Sequence, residues 1–209
     1  MTRKHLTRLA AGVVVVALIA TVSLLAACAS GKKTIDNLTA LMKGRTATIQ
    51  TYKVDGTPLD RIHGKSVDIH RDDTFDSVNT DGTTNADSSV LAISIGKSNM
   101  THVGSTLVMV EDGVVDVTSQ LPATVDLNNT ERGRPILNYL RQQFSNFWKG
   151  KARTIMVRSQ NGSPIAIFAG NEVEYFATDV PKSTLLRIDQ KYVLIYRSDY
   201  SMYDNALLQ

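Results

Sequence analysis

"TIQTYKVDGTPLDRIHGKSVDI" (48–69) returns 106 residues later as "TIMVRSQNGSPIAIFAGNEVEY" (154–175), aligned without a gap. Thr48/Thr154, Ile49/Ile155, Gly56/Gly162, Pro58/Pro164, Gly64/Gly170 and Val67/Val173 are identical, and Asp55/Asn161, Thr57/Ser163, Leu59/Ile165 and Asp68/Glu174 are close. The matches fall where backbone geometry is demanding. Gly56 and Gly162 close Asp-Gly and Asn-Gly pairs, the residues that supply positive φ in a tight hairpin turn. Pro58 and Pro164 open the next strand, where a missing N–H costs least. Gly64 and Gly170 mark a second turn. Each copy therefore predicts three antiparallel strands. Because turn and strand signals coincide throughout, the pair reads as a duplication.

Outward from the two copies, the chain stays rich in β-branched and alternating sequence. The first copy is followed by β-type stretches at 89–95 and 105–111, the second by 184–188 and 191–197. One clear helix interrupts them. "RPILNYLRQQFSNFWKGK" (134–151) puts Ile136, Leu137, Leu140, Phe144, Phe147 and Trp148 on one face, with Pro135 in its first turn and Gly150 at its end. A second, shorter helix is expected in "TIDNLTALMKGR" (34–45), from Ile35, Leu38, Leu41 and Met42, with Thr34 as N-cap and Gly44 as the stop. The expected class is mostly β (α+β). Two pseudo-repeated antiparallel β halves, about 45–120 and 151–209, form a sandwich or barrel-like body, with one amphipathic helix at about 135–149 between them.

The formal net charge of +3 is unevenly spread. Residues 1–27 hold Arg3, Lys4 and Arg8 of the 23 Lys and Arg and none of the 20 Asp and Glu, so the rest of the chain is formally neutral. A nucleic acid needs a basic face, and the composition of this neutral body gives no support for one. The basic "MTRKHLTR" is followed by an uncharged run from Leu9 to Ala27, the layout of a secretory signal. Its nineteen residues also approach the ~20 that span a bilayer, so a retained anchor helix is the alternative.

The run ends in Leu25-Ala26-Ala27-Cys28, and Cys28 is the one cysteine in the chain. This resembles the lipobox of bacterial lipoproteins. The resemblance implies cleavage between Ala27 and Cys28 and a diacylglycerol thioether on the Cys28 sulfur, with a further palmitate-type acyl chain possible on the new amino terminus. Two acyl chains are what stable anchoring needs. The expected organisation is a signal peptide at 1–27, a lipidated cysteine, spacer and short helix at 28–44, and one extracytoplasmic domain at 45–209. With no second cysteine there is no intramolecular disulfide.

Chemistry-bearing residues are sparse. His63 and His70 flank one predicted strand seven residues apart, an odd offset that places them on opposite faces and argues against a shared metal. His102, Ser105 and Asp112 lie close in sequence but lack a nucleophile elbow, so His102 reads as a structural histidine. The polar stretch "RDDTFDSVNTDGTTNADSS" (71–89) suggests calcium, but with Gly82 at the sixth position of a calcium loop, Ser77 and Ser88 stand where the strong ligands belong. Asp76, Asp81 and Asp87 are the residues a weaker site would use; a solvated loop is the expectation. Tyr192, Tyr196, Tyr200 and Tyr203 read as core or rim rather than a ligand platform. No catalytic, metal or cofactor set is expected.

"HGKSVDIHRD", "HVGSTLVMVEDG", "VRSQNGSPIAIFAGNEVEYFATDVPKSTLL" and "YVLIYRSDYSMYDNALL" together resemble a family of bacterial cell-surface lipoproteins classified as a domain of unknown function, over about residues 38–209. The resemblance implies lipid anchoring and one extracytoplasmic domain, with no catalytic residues to transfer. The expectation is a non-enzymatic surface protein, held at the cell membrane through its lipid and binding an envelope component or partner protein. An extracytoplasmic hydrolase or transferase is the alternative.

Overall fold

The computed structural model describes residues 34–35, 37–117 and 150–208; Ala27, Cys28 and the anticipated helix at 135–149 lie outside them. The described chain is mostly β. The first half contains β2 (Thr46–Tyr52), β3 (Pro58–Lys65), β4 (Val67–Arg71), β5 (Val90–Ile95), β6 (Ser98–Val103) and β7 (Thr106–Glu111). The second contains β8 (Arg153–Arg158), β9 (Pro164–Gly170), β10 (Val173–Thr178), β11 (Ser183–Ile188), β12 (Lys191–Tyr196) and β13 (Asp199–Asp204). A short β1 (Thr34–Ile35) and helix α1 (Leu38–Met42) precede them.

The two halves share one wiring. In the first, β3, β2 and β7 lie side by side, and β4, β5 and β6 form a separate meander. In the second, β9, β8 and β13 are adjacent, as are β10, β11 and β12. The duplication is therefore six strands long. It runs in two registers, because β3 and β9 start 106 residues apart while β5, β6 and β7 start 93 before β11, β12 and β13. The difference is the polar connection at 72–89, which has only 179–182 as its counterpart.

One strand-to-strand pairing joins the halves, beside an isolated bridge between Asp116 and Phe168 of β9. β12 lies antiparallel to β7, with Val193, Leu194, Ile195 and Tyr196 opposite Val110, Met109, Val108 and Leu107. This fuses three strands of each half into a seven-stranded sheet in the order β1-β10-β11-β12-β7-β2-β3. The other two sheets cover its two faces, giving three layers and no closed barrel. Side-chain alternation on the central strands feeds both cores. Leu107, Met109, Leu194 and Tyr196 join Val67, Ile69, Leu91 and Ile93 on one side. Val108, Val193 and Ile195 join Ile155, Val157, Ile165 and Phe168 on the other. β7 and β12 are thus apolar without interruption, as a strand buried on both faces must be; each such side chain contributes roughly 1.5–3 kcal/mol by burial.

Two expectations are corrected. The third strand of each copy does not continue the hairpin: β4 and β10 pair outside the sheet segment that holds β3 and β9. Gly64 and Gly170 sit at this crossing, and neither has positive φ. Their role is close approach, because a Cβ on Gly64 would overlap Ile95 Cγ2 and one on Gly170 would overlap Ile188 Cγ2, the same strand position in each half. The left-handed residue at the first crossing is Ser66, with φ of 56°. The N-terminal helix is also shorter than expected. Thr34 belongs to β1, which lies parallel to β10, and Asn37 is the cap, its side chain accepting from Ala40 N at 2.8 Å. Gly44 ends the turn at φ 76°, and Leu38 and Met42 pack into the first core.

Candidate functional site

The histidines separate. His63 on β3 faces Asp112, Nε2 to Oδ2 3.1 Å. His70 on β4 faces Asp68, Nδ1 to Oδ2 3.3 Å. They stand in different sheets. His102 is 8% exposed, and its Nε2 lies 2.9 Å from the Ser105 carbonyl oxygen rather than the hydroxyl. Its ring meets Tyr196 edge-on at 6.0 Å. Asp112 is thus engaged with His63, and His102, Ser105 and Asp112 form no relay. His102 is a packed residue with its polar atom used at a turn.

The 71–89 segment is a built finger. Val78 bridges Thr84, Asn79 N donates to Thr83 O at 2.8 Å, and Asn85 N donates to Ser77 O at 2.9 Å. Asn79 and Asn85 exchange side-chain amide bonds of 2.9 and 3.0 Å. The three aspartates each bond to this framework rather than converging on one point. Asp76 pairs with Arg71 and accepts from Ser88 N at 2.9 Å. Asp87 accepts from the Ser77 hydroxyl and N–H, and Asp81 from those of Thr83. These bonds hold both carboxyls below the usual carboxylate range. Among the described residues no group of three His, Cys, Asp or Glu side chains is arranged to hold a metal ion.

The tyrosines divide by face. Tyr192 and Tyr196 share a face of β12 and are buried in the first core, with the Tyr196 hydroxyl donating to Ser89 O at 2.7 Å. Tyr200 packs against the second core, and the Tyr203 hydroxyl accepts from Arg158 at 3.1 Å. Core and rim describe all four.

Two features had no sequence signal. Glu111, at the end of the apolar β7, is 2% exposed. It holds Arg45 at 2.8 Å and Lys191 at 3.0 Å, and accepts from Tyr192 N at 3.0 Å. Arg45 also lies over the Tyr192 ring at 5.3 Å. This knot ties the start of β2 to the joint between the halves; nothing in "TLVMVED" distinguishes a buried acid from a strand end. The second is an open cleft of about 500 Å³ in the second half, lined by Arg153, Glu172, Glu174, Arg187, Gln190 and Asp204. Its cations are already matched, Arg153 with Asp204 at 3.0 Å and Arg187 with Glu174. Such a cleft presents paired charges, with no activated nucleophile or convergent acid and base.

No curated protein and no solved structure matches the chain. One family model does, over residues 10–208, which includes the apolar run, Cys28 and both halves of the repeat. The chain therefore belongs to the family described as domain of unknown function DUF5052.

Proposed function

We propose that the protein is a non-enzymatic lipoprotein, held through Cys28 on the extracytoplasmic face of the cell membrane, whose β body binds an envelope component or partner protein. The observation that carries the anchor is Leu25-Ala26-Ala27-Cys28 closing an uncharged run behind a basic start, with no other cysteine in the chain. The family match, over residues 10–208, takes in that run and Cys28. Small residues before the cysteine let a peptidase reach the backbone, and the thiol is the nucleophile a thioether needs. The described histidines, and Asp76, Asp81 and Asp87 of the loop, are engaged in local structural bonds.

Cys28→Ala tests the anchor. The expected outcome is loss of radiolabelled palmitate incorporation and loss of the mature, cleaved form. A Cys28→Ala chain that is still cleaved after Ala27 and still takes up palmitate overturns the lipid anchor. In-cell crosslinking of the anchored wild type, with the captured molecule identified by mass spectrometry, tests the binding role.

A further inference from the structure

The joint between the two halves is heterologous. It is made by the fifth strand of the second half, β12, and the sixth strand of the first, β7. The complementary edges are left over: β6, the fifth strand of the first half, and β13, the sixth strand of the second. Each ends its sheet among the described residues, β6 in the order β4-β5-β6 and β13 in the order β13-β8-β9. They lie in the two outer layers, on opposite sides of the central sheet, so they do not meet within one chain. A heterologous contact that leaves its own two complementary surfaces free is the arrangement that propagates.

We propose that β13 of one chain pairs with β6 of a second copy, repeating between molecules the antiparallel joint that β12 and β7 make within one. The internal register carries over directly: Met100 would face Tyr203, Thr101 Met202, His102 Ser201 and Val103 Tyr200. The faces agree as well. Met100 and His102 point to the first core, as Val193 and Ile195 point to the second. Tyr200 and Met202 pack on the second core, as Leu107 and Met109 do on the first. Thr101 is then left facing solvent, as is Val103, which is 64% exposed; their counterparts Leu194 and Tyr196 are buried against the other half's meander. Even the acid at the strand end persists. Asp204 stands where Glu111 does, and Asn99 brings its N–H to the place of Tyr192.

The intermolecular joint is less apolar than the internal one, with Thr101, His102 and Ser201 replacing Leu194, Ile195 and Val108. It is accordingly weaker, and suited to chains concentrated on one surface. Each addition shifts the next copy by one layer, so the product is open-ended.

The test uses the full-length chain in the membranes of expressing cells, carrying Thr101→Cys and Met202→Cys together, under mild oxidation. The expected result is a ladder of dimers, trimers and higher species. Mixing the two single variants should stop at dimers, since each then has one reactive end. Wild type, with Cys28 alone, gives the background. Absence of a ladder from the double variant overturns the proposal. So does a dimer of equal yield from Thr101→Cys alone, which would mean symmetric β6–β6 pairing. A Ser98→Cys, Met202→Cys pair, out of register, should crosslink at least tenfold less.

Discussion

Gly64 shows how a single missing methyl can set a layer crossing. Its Cβ position is occupied by Ile95, and Ile188 fills the same space against Gly170. Gly64→Ala should therefore destabilise by about 1–3 kcal/mol, the usual cost of overpacking. Ile95→Ala also destabilises, but the two together should cost at least about 1 kcal/mol less than their sum, because the second removes what the first strikes. Urea unfolding of the four chains measures the coupling; strict additivity would mean that the glycine serves something other than this approach. Tyr52 carries a different signature. Burial pushes its phenol up to about 12, with the Asp116 charge adding to the shift. Its folded pKa is above the unfolded value of about 10, so the associated stability is complete below that pH and is lost as pH rises toward 12. Absorbance titration should show one tyrosine ionising last, and Tyr52→Phe should remove that step and extend stability into alkali.

Elements reveal what the turns and edges are for. The Asp-Gly and Asn-Gly hairpins were legible because Gly56 and Gly162 need positive φ, at 88° and 90°. β6 and β13 escaped notice in "SNMTHV" and "DYSMYD", since an edge strand buries one face only and its polar residues dilute the alternation. The self-comparison could have found them at the 93-residue register, but there only Ile95/Ile188, Ser105/Ser198 and Met109/Met202 coincide over 90–111 and 183–204. The 71–89 finger is an insertion whose tip bonds are internal. Replacing 78–84 with Asn-Gly keeps the Ser77–Asn85 closure with a turn suited to a two-residue loop. Thermal unfolding should shift by less than about 1 kcal/mol equivalent, since shortening a loop costs little or slightly stabilises. A loss above 2 kcal/mol would show that the tip supports the body. The same variant, if it no longer captures the crosslinked partner, places the binding surface on the finger.

At the scale of the molecule, the sequence by itself determined a duplicated, mostly β chain with one long uncharged run behind a basic start and one cysteine. Those properties reside in composition and in local backbone chemistry: positive φ at glycine, the missing N–H of proline, the absence of charge over a long run. Only the tertiary structure decided that β4 and β10 leave their hairpins, that Glu111 is buried, and that the halves join β12 to β7 edge to edge. Each depends on which surfaces meet in the folded chain, and a strand's alternation records that a face is covered without recording what covers it. The same reason explains the histidines. Their spacing argued against a shared metal, but that His102 meets Ser105's carbonyl oxygen, at 2.9 Å, rather than its hydroxyl was decided only by the turn through Gly104, where φ is 95°.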